Sequence, residues 1–273
     1  MTVNGVPRRC REPAVAGTFY PAQPRRLAST VDRLLAEASE TAAAIPPRAL
    51  VVPHAGYRYS GPVAAAAYRV VRGLTCRCVV LLGPAHFVAV TGAAVPGLDG
   101  WRTPLGVVPV DGESRHAALA VADVHVDDLP HAREHSLEVQ LPFLQRAVDP
   151  PPPVLPIVVD APPGTVADLL DVVVSDPAAL VVASTDLSHY LSDESARRRD
   201  ARTAAAVLAL DADGIGDGDA CGAHALRGVL EWGRRHGLRA QQLALATSAD
   251  RGSDRGRVVG YGAFAFWASA PGG

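Results

Sequence analysis

Short apolar runs alternate along this chain with longer amphipathic segments, a pattern typical of the strands and helices of an open α/β sheet. One amphipathic segment shows the helical period clearly, with Leu27, Val31, Leu34 and Leu35 on one face. Strands are predicted at the apolar runs 50–52, 78–82, 154–159, 180–183, 243–247 and 258–267, with short β segments within 92–110. Helices are predicted at 24–38, 62–68, 131–144, 165–175, 193–210 and from about 221 to 235.

Two of the predicted strands end in a similar way, with a proline and then a histidine. The run 50–52 is followed by Pro53 and His54, and the run 78–82 by Gly-Pro-Ala-His86. Ligands of open α/β sheets bind outside the carboxyl ends of the strands. If the two strands are neighbours, as sequential parallel strands often are, the two histidines meet there. Alternatively, the two histidines have only a structural role and form hydrogen bonds with the backbone.

A third strand end and one cysteine supply further candidates. Asp186 and His189 follow the run 180–183; an aspartate beside a histidine can fix its tautomer and raise its basicity, as a general base requires. A helix N-cap role for Asp186 is the alternative. After the acidic glycine-rich loop 211–219, Cys221 stands at a helix N-terminus, where a thiol pKa is lowered. Cys221 is therefore a candidate ligand or nucleophile, with inert burial as the alternative.

The segment that follows Pro130 contains H-x-x-E-H, the inverted zinc-peptidase motif. On a helix, His131 and His135 would share a face and bind zinc, with Glu134 as general base. The structural alternative makes the leucines the buried stripe of this helix, with one histidine reaching the cleft; these leucines are Leu137, Leu141 and Leu144.

Composition narrows the possible functions. The 273 residues are 48% hydrophobic, which suffices for one large domain or two small ones, and no linker divides them. All 26 basic residues are arginines, which excludes a Walker phosphate loop and a Schiff-base lysine. A net charge of −2 favours neither nucleic acid nor an anionic membrane. Four scattered cysteines, no apolar run of membrane-spanning length and no N-terminal signal core lead us to expect a cytoplasmic protein.

Six ordered motifs together resemble the Memo family, whose prokaryotic members are called AmmeMemoRadiSam system protein B. The resemblance runs from about residue 11 to 267. The motifs are Pro-His-Ala-Gly-Tyr-Arg-Tyr-Ser-Gly (53–61), Gly-Pro-Ala-His (83–86), Glu-His-Ser-Leu-Glu-Val-Gln-Leu-Pro-Phe-Leu (134–144), Ser-Thr-Asp-Leu-Ser-His-Tyr (184–190), Ala-Cys-Gly (220–222) and Val-Val-Gly-Tyr (258–261).

The resemblance implies one α/β domain over 1–273, with a mostly parallel central sheet flanked by helices, akin to class III extradiol dioxygenases. It also implies that His54, His86 and Cys221 bind a metal and that Asp186 and His189 line the same pocket. Those dioxygenases hold Fe(II) with two histidines and a carboxylate. In the Memo pattern a cysteine replaces the carboxylate, which alters metal preference and redox potential. The family name further suggests radical-SAM and AMMECR-type protein partners.

We therefore expect a metal-dependent, dioxygenase-like oxidoreductase that acts on a small molecule or a modified macromolecule. Fe(II) is the expected metal, with copper or zinc as alternatives. His189 and Asp186 are assigned to proton transfer, and His135, Tyr57 and Tyr190 to substrate contacts. Three alternatives stay open: a metal-free module that binds peptides or partners, a hydrolase or transferase with a Cys221 nucleophile activated by His189, and the H-x-x-E-H peptidase.

Overall fold

The structure is a computed structural model that describes residues 9–39 and 45–268, together with the backbone of two short N-terminal strands. The strands are β1 Thr2–Val3, β2 Val6–Pro7, β3 Cys10–Arg11, β4 Ala49–Val52, β5 Val79–Gly83, β6 Gly92–Val95, β7 Gly100–Thr103, β8 Gly106–Pro109, β9 Val124–Val126, β10 Val154–Asp160, β11 Leu180–Ser184, β12 His189–Leu191, β13 Leu238–Thr247 and β14 Val258–Ala268.

The helices lie between these strands, as the alternating pattern predicts. They are α1 Pro24–Glu37, α2 Gly61–Arg69, α3 Gly112–Ala118, α4 Leu129–Ala132, α5 Leu141–Ala147, α6 Pro163–Val173, α7 Asp193–Ala209 and α8 Ala223–Arg235, with 3₁₀ turns at Glu138–Gln140 and Ser248–Arg251. Within the described part of the chain, no helix is long and apolar enough to cross a membrane.

One large sheet runs through the domain in the order β12-β14-β4-β11-β5-β10-β6-β9, and β13 pairs with β14. The four central strands, β4, β11, β5 and β10, are parallel. Strand β14 pairs antiparallel with β4, and β6 pairs antiparallel with β10. The predicted α/β fold is confirmed; its central strands are parallel, and antiparallel neighbours on both sides make the sheet mixed. A smaller sheet has the order β3-β7-β8.

The strands that carry the two histidines are not neighbours, so the condition on which we expected the histidines to meet is not fulfilled, although they do meet. Strand β11 pairs with β4 on one side and with β5 on the other. The loops after β4 and β5 are thus separated by two strand spacings, or about 10 Å. Because the loop after β11 lies between them, all three loops open on one region at the carboxyl edge of the sheet.

Helices cover the two faces of the sheet and form two apolar clusters. The stripe predicted on α1, which includes Leu27 and Val31, packs with α2 and α5 on one face, and α6, α7 and α8 cover the other. Strand β14 divides its aromatic side chains between the clusters, with Tyr261 on the α1 side and Phe264 and Phe266 on the α8 side. This alternation follows from the two-residue period of a strand.

The continuous helix predicted at 131–144 is not formed. Helix α4 ends at Ala132, and α5 begins only at Leu141, after the 3₁₀ turn. Pro142 lacks an N–H and is tolerated near a helix start, so it favours a new helix rather than an extension. The buried Glu134 carboxylate also accepts the Ser136 N–H at 2.9 Å, which turns the chain away from helical geometry.

Candidate metal centre

Three segments that are distant in sequence bring two imidazoles and a thiol together. His54 follows β4, His86 follows β5, and Cys221 precedes α8. Their potential ligand atoms all lie within 4.8 Å of one another. The Nε2 atom of His54 lies 3.2 Å from the Cys221 Sγ, and the His54 and His86 rings stand edge to face with centroids 5.2 Å apart. The three residues could therefore hold a metal ion at a common point.

The hydrogen bonds of Ser184 fix the tautomer of His54. The Ser184 hydroxyl donates to the Ser136 carbonyl oxygen at 2.7 Å and accepts from Gln140 Nε2 at 2.9 Å. Since its one proton is used, Ser184 Oγ accepts from His54 Nδ1, 3.0 Å away. Nε2 then carries the lone pair that faces Cys221. Burial and the neighbouring histidines hold the pKa of His54 well below its usual value, so the ring is neutral.

Glu134 orients His86 in a corresponding way. Its carboxylate accepts from His86 Nδ1 at 2.8 Å and from the His86 backbone N–H at 2.8 Å. Burial opposes ionisation of Glu134, but these bonds and the one from the Ser136 N–H outweigh it and lower the carboxyl pKa to about 2. Nε2 of His86 is left available, in the carboxylate–histidine arrangement typical of metal ligands.

The Cys221 thiol is half-buried at the strand edge. Its Sγ accepts the Asp186 N–H at 3.3 Å and lies 3.8 Å from Thr185 Oγ1. Burial, with a smaller effect of the Asp186 charge, raises the thiol pKa to about 12. The lowered pKa expected at a helix N-terminus is therefore wrong for the metal-free protein, because loss of solvation outweighs the helix dipole. The imidazole that contacts the sulfur is His54 and not His189.

Asp186 and His189 line the cavity, but they do not form the pair expected from the sequence. Asp186 Oδ1 accepts the His54 backbone N–H at 2.7 Å, and burial raises the pKa of its carboxyl to about 7. His189 Nδ1 instead donates to the Leu187 carbonyl oxygen at 2.8 Å. That carbonyl fixes the His189 tautomer, so Asp186 does not orient the ring and does not cap a helix. Burial lowers the pKa of His189.

A cavity of about 430 Å³ opens beside the three candidate ligands. His135 lines it, with its ring centroid 4.7 Å from that of His86 and 5.4 Å from that of His54. Tyr190 is exposed at its mouth, where the Arg257 guanidinium lies 4.4 Å from the ring centroid. The other lining residues are Phe19, Ala55, Gly56, Tyr59, Asp186, His189, Ser248, Ser253, Val259 and Tyr261.

Two residues predicted for this region lie elsewhere. Tyr57 is buried in the core beneath α2, where its hydroxyl donates to the Val139 carbonyl oxygen at 2.6 Å, so it does not line the cavity. His131 is also buried and donates from Nε2 to the Ala94 carbonyl oxygen at 3.1 Å. The H-x-x-E-H peptidase site is thus not formed. His86, Glu134 and His135 do form a second group with ligand atoms within 4.8 Å of one another.

A buried ion pair holds the N-terminal segment against the site. The Arg11 guanidinium donates to a Glu138 oxygen at 2.6 Å, and that carboxylate also accepts the Tyr20 hydroxyl at 2.6 Å. The segment between them presents Phe19 to the cavity, with its ring centroid 4.7 Å from that of His135. Phe19, Tyr59 and Tyr261 line the cavity but were not predicted from the sequence; Phe19 lies in a Gly/Pro-punctuated segment near the N-terminus, which is the signal that could have indicated it.

Comparison with known proteins gives one consistent result. The family model described as Memo-like protein matches residues 11–265. A MEMO1 family protein of Aquifex aeolicus is 44% identical over 196 residues, which cover 70% of this chain and 72% of that protein. A MEMO1 family protein of Methanopyrus kandleri is 35% identical over 283 residues, covering 94% and 98%. One from Methanosarcina acetivorans is 36% identical over 275 residues, covering 93% and 97%.

Proposed function

The chain belongs to the Memo family, and from this premise we propose that it is a metal-dependent oxidoreductase acting on a small molecule. The observation that supports the proposal most is the convergence of His54, His86 and Cys221, whose ligand atoms lie within 4.8 Å of one another. Each imidazole has its second nitrogen occupied by a hydrogen bond, which leaves the other nitrogen for a metal.

The donor set suits a first-row transition metal. Two neutral imidazoles and one thiolate bind iron, copper or zinc, and three protein ligands leave coordination positions for water or substrate. The thiol pKa of about 12 means that Cys221 loses its proton only when a cation offsets the buried charge. Fe(II) is our proposed metal, since it would supply redox chemistry with dioxygen. The same thiol pKa disfavours the hydrolase alternative, which needs a free thiolate nucleophile.

Side chains around the cavity are placed to move protons. Because His189 Nδ1 donates to a carbonyl oxygen, its neutral ring offers Nε2 as a proton acceptor to a bound molecule. Asp186, with its pKa raised to about 7, can give or take a proton near neutral pH. His135 and the rings of Phe19 and Tyr190 would orient the substrate against the ligand group.

Nitric oxide, a stable substitute for dioxygen, tests the proposal directly. Protein loaded anaerobically with Fe(II) is exposed to nitric oxide, and electron paramagnetic resonance records the high-spin iron–nitrosyl signal. We expect a signal close to one per chain in the wild type and none in Cys221→Ser. The His135→Ala variant should keep it, because His135 belongs only to the second donor group. Bound iron that gives no nitrosyl signal would contradict the proposal. Loss of the signal only in His135→Ala would show that the metal binds to the second donor group instead.

A further inference from the structure

A second cleft, of about 510 Å³, lies beside the cavity of the metal centre. Helix α1 forms one wall and presents Arg26, Thr30, Arg33 and Glu37, a stripe at helical spacing next to its buried face. Two loops complete the cleft and add one arginine each, Arg58 and Arg251.

Positive charge is concentrated in this cleft, although the whole chain carries a net charge of −2. Four arginines and one glutamate line it, which gives a local charge of 4 − 1 = +3. Glu37 pairs with Arg33 at 3.0 Å. Within residues 9–39 and 45–268, Arg26, Arg58 and Arg251 form no ion pair, whereas many other arginines of the chain do. Three segments thus place four exposed arginines around one cleft, and an anion bound there would offset their mutual repulsion.

The cleft and the metal cavity share a wall and two loops. Phe19 lines both spaces. The first loop begins with the candidate ligand His54 in one space and reaches Arg58 in the other, a span of at most about 14 Å for four residues. The second loop places Ser248 and Ser253 in the metal cavity and Arg251 in the cleft. A small molecule that extends past Phe19 would contact both spaces.

We propose that the arginine cleft binds the anionic group, a phosphate or a carboxylate, of the molecule whose reactive end lies in the metal cavity. Guanidinium groups bind such oxyanions through paired N–H donors, and arginine is the residue that suits planar, bidentate recognition. The Thr18 and Thr30 hydroxyls already donate to the Val15 and Arg26 carbonyl oxygens, so the arginines are the donors that the cleft offers. This inference rests on the proposed function for the position of the reactive end, and it specifies the substrate as an anion.

Calorimetric titration of the metal-free protein tests the anion site. Inorganic phosphate and succinate are the two probes, and they distinguish a phosphate site from a carboxylate site. We expect saturable binding of at least one probe to the wild type, and at least tenfold weaker binding to the double variant Arg58→Gln/Arg251→Gln. The matched control is Arg25→Gln/Arg239→Gln, which removes two exposed arginines outside the cleft and should stay within twofold of the wild type. Absence of saturable binding, or equal loss in both variants, would overturn the proposal.

The link to the metal cavity needs metal-loaded protein and a metal-binding probe. A hydroxamate with a terminal carboxylate is compared with its terminal amide. We expect the carboxylate probe to bind the wild type at least tenfold more tightly than the amide probe does. The two probes should bind the Arg58→Gln/Arg251→Gln variant, which keeps its metal, with equal affinity. An equal affinity of the two probes for the wild type would reject the link. If phosphate or succinate binds but the wild type retains no metal, the proposed function fails while the anion site remains.

Discussion

Ser184 provides a sensitive test of how the candidate centre is built, because its hydroxyl contacts three buried groups. These are His54 Nδ1 at 3.0 Å, Gln140 Nε2 at 2.9 Å and the Ser136 carbonyl oxygen at 2.7 Å. In Ser184→Ala, Gln140 keeps its bond to the Pro53 carbonyl oxygen at 3.0 Å. The Ser136 carbonyl oxygen and the His54 Nδ1–H, which are both buried, lose the Ser184 hydroxyl as their hydrogen-bond partner.

Each buried polar group left without a partner costs about 1–3 kcal/mol. Two such groups predict that Ser184→Ala lowers the free energy of unfolding by about 2–6 kcal/mol. The substitution also releases the His54 tautomer, since nothing then favours a proton on Nδ1 over one on Nε2. Loss of the hydrogen-bond partner of a ligand histidine typically weakens metal binding by about 10–100-fold.

Urea unfolding of the metal-free protein measures the first effect, and anaerobic Fe(II) titration against a competing chelator measures the second. Ser136→Ala is the matched control. Its hydroxyl is buried and has no hydrogen-bond partner among the described residues, while its backbone carbonyl, which Ser184 uses, is retained. We expect the free energy of unfolding of this control to lie within about 0.5 kcal/mol of the wild-type value, and its Fe(II) affinity within about threefold. Equal stability and equal Fe(II) affinity in Ser184→Ala and Ser136→Ala would refute the reasoning.

Three further predictions concern neighbouring features. Glu134→Gln replaces the carboxylate that accepts from His86 Nδ1 and should weaken Fe(II) binding by about tenfold or more in the same titration; unchanged affinity would contradict the assigned role. Burial lowers the pKa of His131 to about 4, below its value in the unfolded chain. As the pH falls from 7 to 5, the unfolded chain takes up a proton that the folded protein does not, so the free energy of unfolding should fall by about 2 kcal/mol. Urea unfolding at both pH values should show that loss reduced in His131→Phe. Gly222→Ala would place a Cβ 2.7 Å from the carbonyl oxygen that ends β11 and should cost about 1–3 kcal/mol, whereas Gly112→Ala, with nothing within 4 Å, should be close to neutral in unfolding measurements.

The sequence allowed the central strands, most helices and the gathering of polar residues at one sheet edge to be predicted. The apolar runs before His54, His86 and Asp186 are fully buried in β4, β5 and β11 and read as strands without tertiary information. Strand order could not be predicted in this way. The insertion of β11 between β4 and β5 depends on crossover connections, which leave no trace in local hydrophobicity.

The failures occurred where a buried polar side chain decides the local structure. Glu134 was considered as a peptidase base on a helix; it is instead a fully buried carboxylate that bonds His86 and bends its own segment. Asp186 stands three residues from His189, but its carboxylate accepts from His54, a partner 132 positions away. Tyr57 is only three residues from His54, yet it points into the core. Such pairings depend on tertiary contacts rather than on sequence distance.

The central claim is that His54, His86 and Cys221 hold one metal ion together. Anaerobic metal analysis of purified protein tests it most directly, with wild type compared with His54→Ala, His86→Ala and Cys221→Ser, and with circular dichroism to show that each variant is folded. We expect close to one metal per chain in the wild type and loss of that metal in each of the three variants. Retention of the metal in all three folded variants would contradict it.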